Sequence, residues 1–149
     1  MSVARRRARE LAFRALFQSE QGGFPVTEVW EQLRVEFPVE NNETLEEAFT
    51  EDSLKFARSL LDSVSVNREK IDQRIEELVE GWSFSQMAQT DLNILRLAVA
   101  EMVHGFDTPA EVTIEMAVRT AKKYGGTDSG RFVNGVLAQL YRDQTPAIR

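Results

Sequence analysis

Five arginines lie close together near the start of the chain: Arg5, Arg6, Arg7, Arg9 and Arg14. Between Arg5 and Arg14 there is one acid, Glu10, whereas the remainder of the chain carries 13 basic and 23 acidic residues. Guanidinium groups bind phosphates, and the overall charge of −6 would repel nucleic acid, so any such contact must be local. The cluster therefore indicates a polyanion-binding site; the alternative is a solvated face that only aids solubility.

A helix must position these arginines, since Ala4–Gln21 is rich in helix-forming residues and Gly22 with Gly23 supplies a stop. Helical periodicity predicts a buried stripe made of Ala8, Leu11, Ala12, Ala15, Leu16 and Ser19. Phe13 and Phe17 fall among the arginines instead. Either a ring there stacks on an unpaired base, or a second layer of helices covers both phenylalanines.

A second basic region occupies the last third of the chain. From Val112 to Arg149 there are six basic residues and three acids, and Arg119, Lys122, Lys123 and Arg131 flank a glycine turn. Asp128 or Ser129 is predicted to cap the final helix, where free backbone N–H groups suit a phosphate and a carboxylate competes for them. A phosphate-binding P-loop is excluded, because Arg131 replaces lysine and the glycines follow a helix.

The residues for catalysis are missing. The chain has no cysteine and a single histidine, His104, at a predicted helix end. It therefore lacks the residues that a Ser-His or Cys-His nucleophile or a Cys/His metal site would need. No metal and no cofactor are predicted, and the protein is not expected to be an enzyme. The most apolar segment, Leu92–Val103, is short and contains Arg96 and Glu101, which predicts a soluble protein, and the absence of cysteine fits a reducing cytoplasm.

Apolar residues recur at helical spacing throughout, without the two-residue alternation of strands, and predict an all-α fold of about seven helices. The length of 149 residues predicts a single domain over residues 1–149. Between Glu20 and Asp52 ten acids face one arginine, and this acidic arm contains a predicted loop at Pro38–Glu43 and a capping box of Thr44 with Glu47.

Several segments together resemble the bacterial NusB family. They are Arg5–Glu10 (RRRARE) with Leu16, Phe17 and Gln18; Ile94–Ala98 (ILRLA) with Glu101; Lys122–Tyr124 with Gly125; and Asp128, Ser129 and Phe132–Leu137 (FVNGVL). Their order and spacing match almost the whole chain. The resemblance implies two small helical bundles packed around the arginine helix, and no catalytic activity.

The resemblance also implies a role in transcription antitermination. Proteins of this family bind the boxA element of ribosomal RNA leaders together with a small-subunit ribosomal protein, NusE, and join other Nus factors on RNA polymerase; the free protein is a possible homodimer. By matching position, the implied RNA contacts are Arg5, Arg6, Arg7, Arg9, Asp128, Arg131 and Phe132. Asp91 matches an acidic position that faces the ribosomal protein.

Two positions depart from the family pattern. Ile114–Ala117 reads IEMA where INEA is usual, and Phe17 replaces a tyrosine, so two polar groups are missing. Two other functions stay open: a helical adaptor that binds protein without RNA, and the RNA-binding module of a ribosomal RNA methyltransferase. The second of these would need a catalytic domain after Leu140, where only nine residues remain.

Overall fold

A computed structural model describes residues 3–36 and 50–144, and every regular element in these ranges is helical. The seven α-helices are α1 (Val3–Gly22), α2 (Val26–Glu36), α3 (Glu51–Val66), α4 (Arg68–Leu78), α5 (Gln89–Val103), α6 (Ala110–Gly125) and α7 (Thr127–Gln144). A 3-10 turn, Phe84–Gln86, precedes α5. The all-α prediction is thus confirmed. The predicted loop after Pro38 and the capping box of Thr44 and Glu47 lie outside the described residues.

The chain divides into two compact units, Met1–Ser65 with α1 to α3 and Val66–Arg149 with α4 to α7. The expectation of a single domain over residues 1–149 stays a prediction. No helix among the described residues combines the length and the apolar character needed to cross a membrane.

The first unit is organised by α1, whose predicted buried stripe is confirmed at every position. The helix ends as the glycines predict, because Gly23 adopts a φ of 73° and its N–H donates to the Ser19 carbonyl at 2.9 Å. Thr50 caps the start of α3. Its hydroxyl accepts from the Ser53 N–H at 3.0 Å, and the Ser53 hydroxyl accepts from the Thr50 N–H at 2.9 Å.

The second unit is built around α5, which is buried on all sides from Asp91 to Glu101. The polar groups on such a helix need partners, since an unpaired buried charge is costly. Arg96 donates through Nε to Asp72 Oδ1 of α4 at 2.9 Å and through Nη1 to Asn93 Oδ1 at 3.0 Å. This network ties α4 to the central helix, and α6 and α7 pack against the same helix.

Candidate nucleic-acid interface

Four of the five arginines, Arg5, Arg6, Arg7 and Arg9, lie within the first two turns of α1. Arg5 is exposed, Arg6 and Arg7 are half-buried, and Arg9 is 9% exposed. The first turn of α1 contains no acidic residue, although the positive end of a helix dipole favours acids there. The positive charges of the arginines therefore add to the positive end of the helix dipole. This addition destabilises the helix itself but favours the binding of an anionic ligand.

The ring of Phe56 on α3 holds two of these arginines. The Cζ atom of Arg5 lies 4.4 Å from the ring centroid and that of Arg9 lies 4.7 Å from it. Both distances fit cation–π contacts, which keep a guanidinium charged while fixing its position. Sequence reasoning missed Phe56, which is 7% exposed. Helical periodicity predicts that a ring lies on a buried face of its helix, but it does not predict which side chains of another helix contact that ring.

The two phenylalanines of α1 differ from each other. Phe13 is 4% exposed and therefore belongs to the core, as the alternative of a covering second layer predicted. The interpretation that its ring stacks on a base is wrong. Phe17 is half-buried, with its ring centroid 5.8 Å from that of Phe13.

The glycine turn before α7 corrects one expectation, that Asp128 or Ser129 caps the last helix. The carbonyl of Gly126 accepts the first helical hydrogen bond, from the Gly130 N–H at 3.1 Å, so Gly126 is the cap and α7 begins at Thr127. A φ of 91° at Gly126 permits this sharp turn. Asp128 is consequently a first-turn residue with a fully exposed carboxylate, 3.5 Å from Nη1 of Arg131.

The Ser129 side chain turns inward, towards Asp91 at the start of α5. Asp91 is 7% exposed, and burial raises the pKa of its carboxyl group while a hydrogen bond from Ser129 lowers it in part. Its Oδ1 atom is buried and accepts no hydrogen bond from the described residues. A Cβ at Gly125 would collide with the Ser129 side chain, so the turn needs glycine there. The role of Asp91 towards a protein partner stays a prediction.

Phe132 lies one turn further along α7 and is half-buried. Its ring centroid lies 6.3 Å from that of Trp82, and the two planes meet at 55°. Trp82 is 54% exposed and was not among the sequence-predicted contacts, because a tryptophan beside a helix-ending glycine resembles a core residue. Arg131, on the same turn, has a side chain that is 77% exposed.

The predicted contacts thus fall on two surfaces. The arginines of α1 belong to the first unit, whereas Asp128, Arg131, Phe132 and Asp91 belong to the second. Within the described ranges, no three His, Cys, Asp or Glu side chains are grouped so as to hold a metal ion. His104 ends α5, with its N–H donating to the Ala100 carbonyl at 3.0 Å, as expected for a capping histidine.

The profile of the NusB family matches residues 6–142, which is nearly the whole chain. The chain belongs to the NusB family. The transcription antitermination protein NusB of Thermus thermophilus is 49% identical over 138 residues, covering 93% of this chain and 90% of that protein. The residues that the family profile matches, 6–142, include most of α1 and most of α7.

Solved structures agree with this assignment. NusB of Thermotoga maritima is 33% identical, with a TM-score of 0.81 over 98% of this chain and 96% of the other. A chain in the complex of antitermination factors NusB and NusE with double-stranded RNA is 28% identical, with a TM-score of 0.82 over 96% of this chain and 99% of its own length. The all-α fold predicted from the family resemblance is therefore confirmed.

Proposed function

We propose that this protein is a transcription antitermination factor that binds boxA RNA of ribosomal RNA leader transcripts together with the ribosomal protein NusE. The observation that carries the proposal is the arginine cluster at the positive end of α1, on a chain whose net charge is −6. Such a cluster reduces the net negative charge that keeps an acidic protein soluble, and it opposes the dipole of its own helix. Family membership and the RNA-bound NusB–NusE relative support the same conclusion.

In this proposal the two surfaces do different work. Arg5, which is exposed, and Arg6 and Arg7, which are half-buried, bind phosphates. Arg9 contacts the same Phe56 ring as Arg5 and is a positioning residue of the cluster. Phe132 and Arg131 contact the RNA at the start of α7. The protein acts by binding in the cytoplasm, without catalysis, and other Nus factors and RNA polymerase join through the assembled complex.

The protein partner should add contact surface and charge to a small basic site that binds RNA weakly by itself. Asp91 lies at the start of the central helix of the second unit, where the family resemblance puts a NusE contact. If NusE tightens RNA binding, RNA must tighten the protein pair by the same factor, because the two couplings are reciprocal. Titration of one ligand in the presence of the other measures this factor.

The decisive experiment compares the wild type with an Arg5→Ala/Arg6→Ala/Arg7→Ala variant in fluorescence anisotropy with a boxA RNA, over a salt series. Binding should weaken, and the salt slope should fall by up to about 0.7 for each single-strand phosphate that the variant no longer neutralises. Arg34→Ala, which removes an exposed arginine of α2, is the matched control and should leave the slope unchanged.

An unchanged slope in the triple variant would contradict the proposal. In that case a pulldown of NusE that is insensitive to nuclease would favour a protein adaptor that binds no RNA. Because Arg5 lies over the Phe56 ring and Arg6 and Arg7 are half-buried, thermal unfolding of the triple variant is measured first, and binding is compared at a temperature at which both proteins are folded.

A further inference from the structure

We propose that Trp82 forms, with Phe132, a subsite that stacks on an unpaired base of the bound RNA. The inference rests on the proposed function and deepens it, by adding a base-binding residue that lies outside the predicted contacts. Trp82 follows α4 and is 54% exposed, although indole rings are normally among the most buried groups of a protein.

The rings of Trp82 and Phe132 form a pair. Phe132 approaches Trp82 with a centroid distance of 6.3 Å, within the range of direct aromatic contact. This contact supports the indole from one side and leaves more than half of its surface open to solvent. Exposed aromatic rings are the surfaces on which single-strand-binding proteins stack bases.

Hydrogen bonds hold the backbone on both sides of Trp82 in place. Gly81 turns the chain with a φ of 89°, and the Trp82 N–H donates to the Val79 carbonyl at 2.9 Å. On the other side, the Ser83 N–H donates to Gln86 Oε1 at 2.9 Å within the 3-10 turn. An immobilised ring loses little conformational freedom when a ligand binds, so its stacking contributes more fully to affinity.

The 3-10 turn that follows Trp82 is anchored by the Phe84 ring. The ring of Phe84 lies over the Arg96 guanidinium, whose Cζ is 5.7 Å from the ring centroid. Arg96 is itself 5% exposed and bonded to Asp72, so the 3-10 turn is tied to the buried network of the second unit. The segment that carries Trp82 is therefore part of the rigid framework.

A positive charge lies beside Phe132 in the sequence. Arg131 lies next to Phe132 in the sequence, and its side chain is 77% exposed at the start of α7. A phosphate held near Arg131 and a base held by the rings are the two halves of one nucleotide. The chemistry fits an unpaired nucleotide, since a base inside a duplex offers no free face.

The test measures anisotropy with a single-stranded boxA RNA and with a fully paired duplex of similar length. Trp82→Ala should weaken single-strand binding by about 5- to 150-fold, which is the usual effect of losing one stacked base. It should leave duplex binding and the salt slope unchanged, because the ring carries no charge. Trp82→Phe should retain most of the affinity.

Two further measurements sharpen the test. Single abasic sites placed along the RNA should identify one position whose loss weakens the wild type and leaves Trp82→Ala unaffected. Intrinsic fluorescence should fall on RNA binding, and Trp82→Phe, which keeps only the buried Trp30, should lose this response. Phe24→Ala, which removes another exposed ring, is the matched control and should bind like the wild type.

Three results would overturn the inference. Equal affinity of Trp82→Ala and wild type for the single strand, with an intact arginine-dependent salt slope, would reject the subsite and leave the proposed function standing. Loss of NusE binding without loss of RNA binding would assign the ring to the protein partner. Absence of RNA binding by the wild type would reject the proposed function and the subsite with it.

Discussion

The two candidate RNA-contacting surfaces combine arginines and aromatic rings in opposite ways. On the first unit the ring is inside: Phe56 is 7% exposed, and the guanidinium groups of Arg5 and Arg9 lie over it. On the second unit the ring is outside, since Trp82 is 54% exposed, and the arginine, Arg131, is beside an acid. A covered ring can only position a charge, whereas an open ring can itself bind a ligand.

This difference indicates a division of work. The first surface presents charges held by a buried ring, which suits phosphates and carries no sequence information. The second presents rings beside one partly neutralised arginine, which suits bases. Affinity that depends on salt should therefore depend mostly on α1, and selectivity for unpaired bases should depend mostly on the segment around Trp82 and Phe132.

The largest expected effect is that of Phe56→Ala. Removing this buried ring should destabilise the protein by about 3–5 kcal/mol, as for other phenylalanines in cores. Arg5 and Arg9 would lose the surface that positions them, so RNA binding should also weaken. Urea unfolding and anisotropy at a temperature where the variant is folded separate the two effects.

Phe56→Leu is the informative partner of that variant, because it keeps a buried apolar side chain and removes the ring face. It should retain most of the stability and still lose affinity. Wild-type affinity in Phe56→Leu would show that the ring serves the core alone and that the comparison between the two surfaces is mistaken.

The next effect is that of Phe132→Ala, which acts on the second surface. If the ring stacks on a base, binding should weaken by about 1–3 kcal/mol. Because Phe132 is half-buried, the loss of stability should stay below the roughly 3–5 kcal/mol of a fully buried ring. A sharply lowered melting temperature with unchanged RNA affinity would assign Phe132 to the core.

These cases show which part of the molecule could be predicted from the sequence. Helix ends marked by glycine, such as Gly23 and Gly105, and the buried stripe of α1 follow from local backbone freedom and periodicity, and both were predicted. Phe56 was missed because its role depends on a different helix. Trp82 was missed because the exposure of a side chain depends on which surfaces the folded chain leaves uncovered, and the local sequence does not indicate this.

The cap of α7 illustrates the same limit at a smaller scale. Asp128 and Ser129 are favourable capping residues, yet Gly126 takes that position because one residue can both end α6 and begin α7 when its φ is positive. The N–H of Gly126 donates to the Lys122 carbonyl and its carbonyl accepts from the Gly130 N–H, each at 3.1 Å. Capping preferences describe isolated helices, whereas this turn is shared by two.

A smaller effect is expected from Asp91→Asn, measured as stability against pH. Burial raises the pKa of Asp91 above its ordinary value of 3.8. As the pH rises, the native state therefore releases this proton at a higher pH than the unfolded chain does. Its contribution to stability is therefore present below that ordinary value and is lost as the pH rises through the raised pKa. Asp91→Asn should remove this loss and unfold at higher urea concentration at neutral pH.

The same variant tests the partner surface, since asparagine removes the charge predicted to face NusE. The protein pair should weaken while the RNA affinity of the free chain stays unchanged, and Asp91→Lys should weaken the pair further. A wild-type pH profile of stability in Asp91→Asn would contradict the buried carboxyl group with a raised pKa that the structure indicates.

The smallest expected effect, and the one that bears most directly on the second surface, is that of Asp128→Asn. The Asp128 carboxylate is fully exposed in the first turn of α7 and lies 3.5 Å from Arg131. Its charge neutralises the arginine in part and repels an approaching phosphate, so Asp128→Asn should raise RNA affinity modestly. Asp128→Glu keeps the charge and should bind like the wild type. Since Gly126 is the cap, neither Asp128→Asn nor Asp128→Ala should lower the melting temperature appreciably. Weaker RNA binding in Asp128→Asn, with normal binding in Asp128→Glu, would show that the carboxylate accepts a hydrogen bond from the RNA, and the second surface would then read the base by polar contact as well as by stacking.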